Sequence, residues 1–351
     1  MKWKGSLIGA CIVAIALLAV AGCGTIQFYA QAVSGHLAVM AAAQPINQAL
    51  FEQPAITPAL KEKLERVLAI REFAVSELLL PDNGSYRSYA DIGRPYVVWN
   101  VFATEEFSLR PEQSCFLFAG CVAYRGFYAE ADARAYGDVF RKEGHDVFVY
   151  GVTAYSTLGW FNDPVLNTFI GNSDAELARI IFHELAHQVV YTKDDSIFNE
   201  SFATAVEEEG VRRWIDRFGT DQQWREFAAS GKRRADFIAL VSRYQKLFEA
   251  GYASDAPPAT KRAEKKRLFA ALRADYETMK RGEWDGFAGY DRWFAQDLNN
   301  AHVATVATYT ELVPAFRSLL AKNKGDFAAF YREVKALAAR PKAERLKELG
   351  G

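Results

Sequence analysis

Net charge is almost absent from this chain: 42 lysines and arginines against 43 aspartates and glutamates leave −1 over 351 residues. Such a balance excludes the one-signed field that draws proteins to nucleic acid, and no nucleic-acid partner is expected. Internal repeats and long low-complexity linkers are missing too, so nothing marks a repeat array. Cysteine is scarce, with four in all: Cys11, Cys23, Cys115 and Cys121. The five-residue gap between the last two is not the two-residue gap of redox or zinc-knuckle pairs, and no histidine lies near them. Long apolar runs are confined to the first two dozen residues. What the chain has in quantity is core-forming material, since 50% of it is hydrophobic and 14% aromatic. That length and composition can bury one large core or two modest ones, as a globular enzyme does.

The first residues form a separate object. Lys2 and Lys4 precede an apolar stretch from Leu7 to Val20, followed by Ala21, Gly22 and Cys23. A charged start, a short apolar run and a small-residue end make a secretory signal over residues 1–22, too short for a comfortable membrane span. A transmembrane anchor is the alternative. Val20-Ala21-Gly22-Cys23 resembles the lipobox of bacterial lipoproteins, in which the cysteine becomes the lipidated first residue of the mature protein. That resemblance implies a lipid-anchored protein of the cell envelope facing the periplasm, and Gly24 in place of Asp favours the outer membrane. In an oxidising periplasm, Cys115 and Cys121 read as a disulfide closing a short loop.

The mature chain reads as α+β: a small mixed sheet with helices over residues 23–172, then a mainly α-helical part over 173–351. Gln27 to Phe51 is helical in composition. Thr57-Pro58 is an N-cap followed by proline, opening a helix to about Leu80. Tyr86 to Tyr124 carries short Tyr, Val, Trp and Phe runs, expected as strands of one open sheet. A helix over Ala129 to Glu143, stopped by Gly144, leads to a strand over His145 to Val152. From Ser173 onward helices are expected to Val189, over Ile197 to Arg217, Thr220 to Ala250, Thr260 to Arg281 and Asn300 to Lys322, with a polar tail beyond. The basic cluster Lys261 to Arg267, interrupted by Glu264, reads as a solvated helix face.

His183-Glu184-Leu185-Ala186-His187 carries the chemistry. Histidines four apart on a helix project from one face a turn apart, which suits two nitrogens meeting one tetrahedral zinc. Glu184 lies between them as the general base, taking a proton from the water that zinc acidifies. Solvent pairing on a helix face is the bland alternative. A third ligand is needed, and Glu200 in Asn199-Glu200-Ser201-Phe202-Ala203 supplies it: Phe198, Phe202 and Val206 form the apolar stripe of that helix, while Glu200, Thr204 and Glu207 share another face. Glu207, two turns past Glu200, is the candidate to fix a ligand imidazole from its second nitrogen, with surface solvation as the rival reading.

The two segments together resemble the gluzincin zinc peptidases, the group of thermolysin and aminopeptidase N, although the gap from His187 to Glu200 is shorter here. A closer similarity is to the bacterial lipoproteins named predicted aminopeptidases, carried also by Gly120-Cys121-Val122-Ala123-Tyr124-Arg125-Gly126, Ala154-Tyr155-Ser156-Thr157-Leu158-Gly159-Trp160-Phe161 and Leu298-Asn299-Asn300-Ala301. The resemblance implies a zinc hydrolase with one Zn2+, acting on peptides or proteins as an aminopeptidase. An envelope endopeptidase, or a non-catalytic lipoprotein serving binding or assembly, are the alternatives; no oligomer is expected. Tyr309, Tyr290, Tyr155 and His302 are candidates for stabilising the oxyanion, and Tyr309 is preferred because related peptidases place a tyrosine on a helix downstream of the third ligand; a core tyrosine is the alternative. The strand at His145 to Tyr155 occupies the place where gluzincins pair with substrate backbone. Aminopeptidase N relatives hold the substrate amine with a glutamate there, and Val152-Thr153-Ala154-Tyr155-Ser156 has no carboxylate. Glu105, Glu106 and Asp163 are the substitutes to consider.

Overall fold

A computed structural model describes residues 26–48, 56–116 and 120–350. The expected leader over 1–22 and Cys23 lie outside them. The described chain enters on α1, residues 26–42. The helix expected over Gln27 to Phe51 is interrupted there, because Gln44 precedes Pro45 and is pushed out of the α region; Ala43–Pro45 forms β1 instead, residues 46–48 are helical again, and Phe51 lies outside the described residues. Helix α2, Pro58–Ser76, opens as expected, with the Thr57 hydroxyl accepting from Leu60 N at 3.2 Å. It ends short of Leu80, where Leu79 turns the chain at φ 53°.

Among the described residues the strands form three small sheets and not one open sheet. β1 pairs antiparallel with β2, Ser88–Ala90, which pairs parallel with β8, Val165–Leu166. β3, Val98–Thr104, lies between β6, Arg125–Phe127, and β7, Asp146–Val152, in an antiparallel sheet. β4, Ser114–Phe116, and β5, Gly120–Val122, make a hairpin whose paired residues Cys115 and Cys121 form the disulfide. Turns through Gly93-Arg94-Pro95 and Pro111 break the run into pieces too short to share one sheet. One face of the β6-β3-β7 sheet packs on α3, Glu130–Lys142, through Val101, Phe127, Val147 and Ala133. The other face carries Phe102 and Phe148 against Ala301.

The helical part follows as α4 (Asp174–Val189), α5 (Ser196–Phe218), α6 (Asp221–Ala253), α7 (Pro258–Arg281), α8 (Asn300–Thr310), α9 (Val313–Lys322), α10 (Phe327–Ala338) and α11 (Lys342–Glu348). Two expectations fail here. The single helix over 300–322 is two, since Pro314 cannot donate to the carbonyl four residues back. The polar tail is also two helices: Gly325 turns at φ 78°, Asp326 caps Ala329 N, and Phe327, Phe330 and Val334 are buried.

One core joins both ends of the chain, packing Leu64 and Val67 of α2 with Phe182, Phe202, Phe316 and Phe330. Truncating any of these phenylalanines would cost about 3–5 kcal/mol. Helices α4 and α5 lie close: a Cβ on Gly210 would meet Leu78 and Phe182 at 2.7 Å. A second core, with Phe248, Leu272 and Tyr276, fills the space between α6 and α7.

Candidate metal and catalytic site

The site is built on α4, α5 and the turn between them. Ser173 caps α4, accepting from Glu176 N at 3.3 Å, and Leu177, Ile181 and Leu185 bury its apolar stripe. That rotation sends His183 and His187 to one side, with their Nε2 atoms 3.2 Å apart. Asn199 closes the turn by donating to the Thr192 carbonyl and accepting from Thr192 N, both at 2.8 Å. Asp195 caps α5 at Phe198 N and is itself held by Arg345 of α11 at 2.8 Å in a buried ion pair. So clasped, the short turn brings Glu200 Oε2 to 3.2 Å from His183 Nε2 and 3.6 Å from His187 Nε2.

These three separations test whether an ion fits. Zinc holds nitrogen and oxygen ligands at about 2.0–2.2 Å in a tetrahedron, which spaces the ligand atoms by about 3.3–3.6 Å. The observed 3.2, 3.2 and 3.6 Å fit that pattern. His183, His187 and Glu200 therefore form a group that could hold a metal ion.

Behind them lies Glu207, fully buried. Its Oε2 accepts from His183 Nδ1 at 2.8 Å and from Arg179 at 3.3 Å, and its Oε1 accepts from Arg234 at 2.9 Å. A carboxylate on Nδ1 leaves Nε2 of the same ring turned to the ligand cluster. Electrostatics follow from this packing. Burial opposes a charged His183, but hydrogen bonds to Glu200 and Glu207 outweigh it and push the ring up to about 10. Burial would raise Glu200; the charge of His187 and the hydrogen bond from His183 instead hold it down to about 2. Glu207 likewise stays well below the usual carboxylate range against its burial, through Arg179, His183 and Arg234. Glu184 goes the other way. Burial raises it, only partly opposed by the two histidines. Its carboxylate makes no hydrogen bond or ion pair among the described residues, and it faces a cavity of about 490 Å³ shared with His183, His187 and Glu200.

The cavity sorts the remaining candidates. Tyr309 lines it, half-buried and hydrogen-bonded to Tyr150. Tyr155 lines it too, within 2.9 Å of His36 Nδ1. Tyr290 stacks on Phe237 in the second core, and His302 stacks on Phe148, so neither reaches the cavity. Among the acids, Glu106 is paired with Arg262 at 2.6 Å, and neither it nor Glu105 lines the cavity. Asp163 sits beside the wall, buried, accepting from Thr157 N and Oγ1 at 2.8 and 3.0 Å. Burial pushes it up to about 7, with repulsion from Glu184 adding to the rise. The disulfide hairpin contributes Phe116 and Val122 to the wall and is tied to the turn after α4 by Cys121 N donating to Asp194 Oδ1 at 2.6 Å.

Sequence reasoning passed over Arg179, Arg234 and Tyr124, all at the cavity. Arg179 was legible as the residue one turn before His183 on the same face. Arg234 comes from α6 and gives no local signal.

No curated protein and no solved structure matches the chain. The model of one family, described as "Putative aminopeptidase", matches residues 27–349, and with that extent of match the chain belongs to this family.

Proposed function

We propose that the chain is a zinc-dependent peptidase that hydrolyses peptide bonds, of gluzincin type. The observation that carries this reading is the convergence of His183 Nε2, His187 Nε2 and Glu200 Oε2 at tetrahedral spacing on the wall of a cavity beside Glu184. Two imidazoles and a carboxylate suit zinc, and the ion would supply an acidified water and a polarised carbonyl. Glu184 is the general base: half-buried, open to the cavity and raised above the usual carboxylate range by burial, it takes a proton from the attacking water and delivers it to the leaving amine. Glu207 orients His183 through Nδ1, while Tyr309 donates to the oxyanion. Substrate backbone adds along β7, the outer strand of its sheet, which runs directly into the cavity-lining residues 152–156. The parts 23–172 and 173–351 work as one unit, because residues of both share a core around α4.

Aminopeptidase is the favoured subtype, on the family's name. Endopeptidase is favoured by a specific observation: among the described residues, the only acids lining the cavity are Glu184, Glu200 and Glu207, all occupied in this scheme, which leaves none for a substrate amine. We also propose that the mature protein is anchored by lipid on Cys23 and faces the periplasm. The test uses the mature chain without lipid, its metal content, and matched free and N-acetylated peptides. Stoichiometric zinc and cleavage lost in Glu184→Gln are expected. A metal-free protein, or a Gln variant of full activity, would end the enzyme reading, and internal cleavage of blocked peptides would move it to endopeptidase.

A further inference from the structure

Helix α1 carries no charged residue in 17 positions, residues 26–42, although 24% of the chain is charged. It is nevertheless two-sided. Phe28 and Val39 are buried against the body of the protein, and Gln31 Oε1 accepts from Tyr128 N at 3.0 Å. Its opposite side, Ile26, Ala30, Val33, Leu37 and Ala41, repeats at helical spacing and faces outward. Ile26, Val33 and Leu37 are 70%, 57% and 59% exposed. Next to this stripe, the turn after Leu158 and Gly159 presents Trp160 at 72% and Phe161 at 52% exposure, with the Phe161 ring 4.4 Å from that of His36. Five of the ten large apolar residues exposed in the described chain thus belong to one neighbourhood. An apolar helix face of this kind marks an interaction surface, and an interfacial tryptophan beside it suits a bilayer.

We propose that α1 and the Trp160–Phe161 turn form a membrane-seating surface, on which the helix lies in the bilayer interface with its outer stripe among the acyl chains. The occupant follows from the sequence position of the stripe: Ile26, its first described residue, is three residues after Cys23, so a lipid there would hold the stripe close to the membrane. This clause rests on the anchoring proposed above. No described helix is long and apolar enough to cross a membrane, and the two-sided pattern of α1 suits a helix lying in the interface. The same surface touches the catalytic cavity. His36 Nδ1 bonds the Tyr155 hydroxyl at 2.9 Å, and Tyr155, Tyr128 and Leu158 line the cavity, which places one wall of the site beside the membrane surface. The substrates reached would be peptides held close to a bilayer.

The experiment takes the mature chain from residue 23 with Cys23→Ser, loaded with zinc, and measures co-sedimentation with phosphatidylethanolamine–phosphatidylglycerol vesicles. The unlipidated protein should partition onto vesicles, and the double variant Val33→Glu with Leu37→Glu should weaken that by about tenfold or more, since two buried aliphatic groups become charges. Metal content and hydrolysis of soluble peptide should stay unchanged in the variant, and circular dichroism reports its folding. Trp160→Ser is the second variant, expected to weaken partitioning without adding charge. An unlipidated protein that stays in the supernatant at every lipid concentration overturns the proposal, as does a stripe whose variants instead convert a dimer to a monomer by light scattering. Palmitate labelling of the full chain in cells reports the anchor separately: loss of labelling with retained vesicle binding removes the anchor and leaves the surface standing.

Discussion

Glu207→Gln is the perturbation that most directly probes how the site is held. The substitution keeps the shape of the side chain and removes its charge, at a position that takes His183 Nδ1 at 2.8 Å and two arginines. Loss of a carboxylate behind a ligand imidazole lowers metal affinity by about 10–100-fold, equivalent to about 1.4–2.8 kcal/mol. The two arginines left behind add repulsion of the cation, in the same direction. Breaking a sealed ion pair costs about 3–5 kcal/mol, but the side chains of Arg179 and Arg234 are 36% and 32% exposed, and Arg179 keeps Glu176 at 2.5 Å. Solvent therefore reduces the stability cost to about 1–2 kcal/mol, and the variant should fold. The assay is zinc competition against a chromogenic chelator, alongside thermal unfolding of the metal-free protein. Glu207→Asp should recover part of the affinity. A Gln variant that binds zinc within twofold of wild type while losing stability would refute the reasoning and reduce Glu207 to an anchor for arginines.

Glu184→Gln should lower hydrolysis by about 10²–10⁴-fold with metal content unchanged, measured on one peptide at saturating zinc. The metal-free protein should lose stability as pH rises: His183 is raised above its unfolded value of 6.5, so its contribution is complete below about 6.5 and gone above about 10. Zinc replaces the proton, so thermal unfolding with and without chelator should diverge most at high pH, and titration calorimetry in two buffers should record proton release on binding. For Asp163 the sign reverses, because a carboxyl raised to about 7 penalises the folded state increasingly from pH 4 to 7 and constantly above. Asp163→Asn should stabilise by up to about 4 kcal/mol at pH 8 and by less than half of that at pH 5, and should move the acidic limb of kcat/KM to lower pH by relieving Glu184. Replacing Cys115 and Cys121 by Ser should cost about 2 kcal/mol, the entropy of a loop this short, and should raise KM more than it lowers kcat, since the hairpin forms the cavity wall through Phe116 and Val122.

The helix pair of the candidate site was legible because its signals are local. Ser173 announces α4, the apolar stripe fixes its rotation, and the rotation decides where His183 and His187 point; the same logic on α5 aims Glu200 and Glu207 together. Strand order was not legible, because pairing depends on residues far apart. Val98–Thr104 reads as a strand, yet nothing near it says that its partners are Arg125–Phe127 and Asp146–Val152. The tail shows the same limit in reverse. Its charge pattern reads as solvated, while the buried Phe327, Phe330 and Val334 repeat at helical spacing among the charges.

That tail bears on why a gap this short between His187 and Glu200 works. Twelve intervening residues leave a turn of six between α4 and α5, including Asp194 at φ 64°, a conformation that a non-glycine residue holds only when its surroundings insist. Those surroundings are remote in sequence. Arg345 pins Asp195 from the chain's end, Lys342 donates to the Asp194 carbonyl at 3.2 Å, and Cys121 N takes the Asp194 side chain from the hairpin. Asn199 and the Asp195 cap clasp the turn from within. The geometry of the candidate site therefore depends on both flanks: the residues that could hold a metal are local to two helices, while those that hold the helices in register come from the disulfide hairpin and α11. The compact connection thereby couples the candidate site to the folding of the hairpin and the last helix, which clasp it from outside.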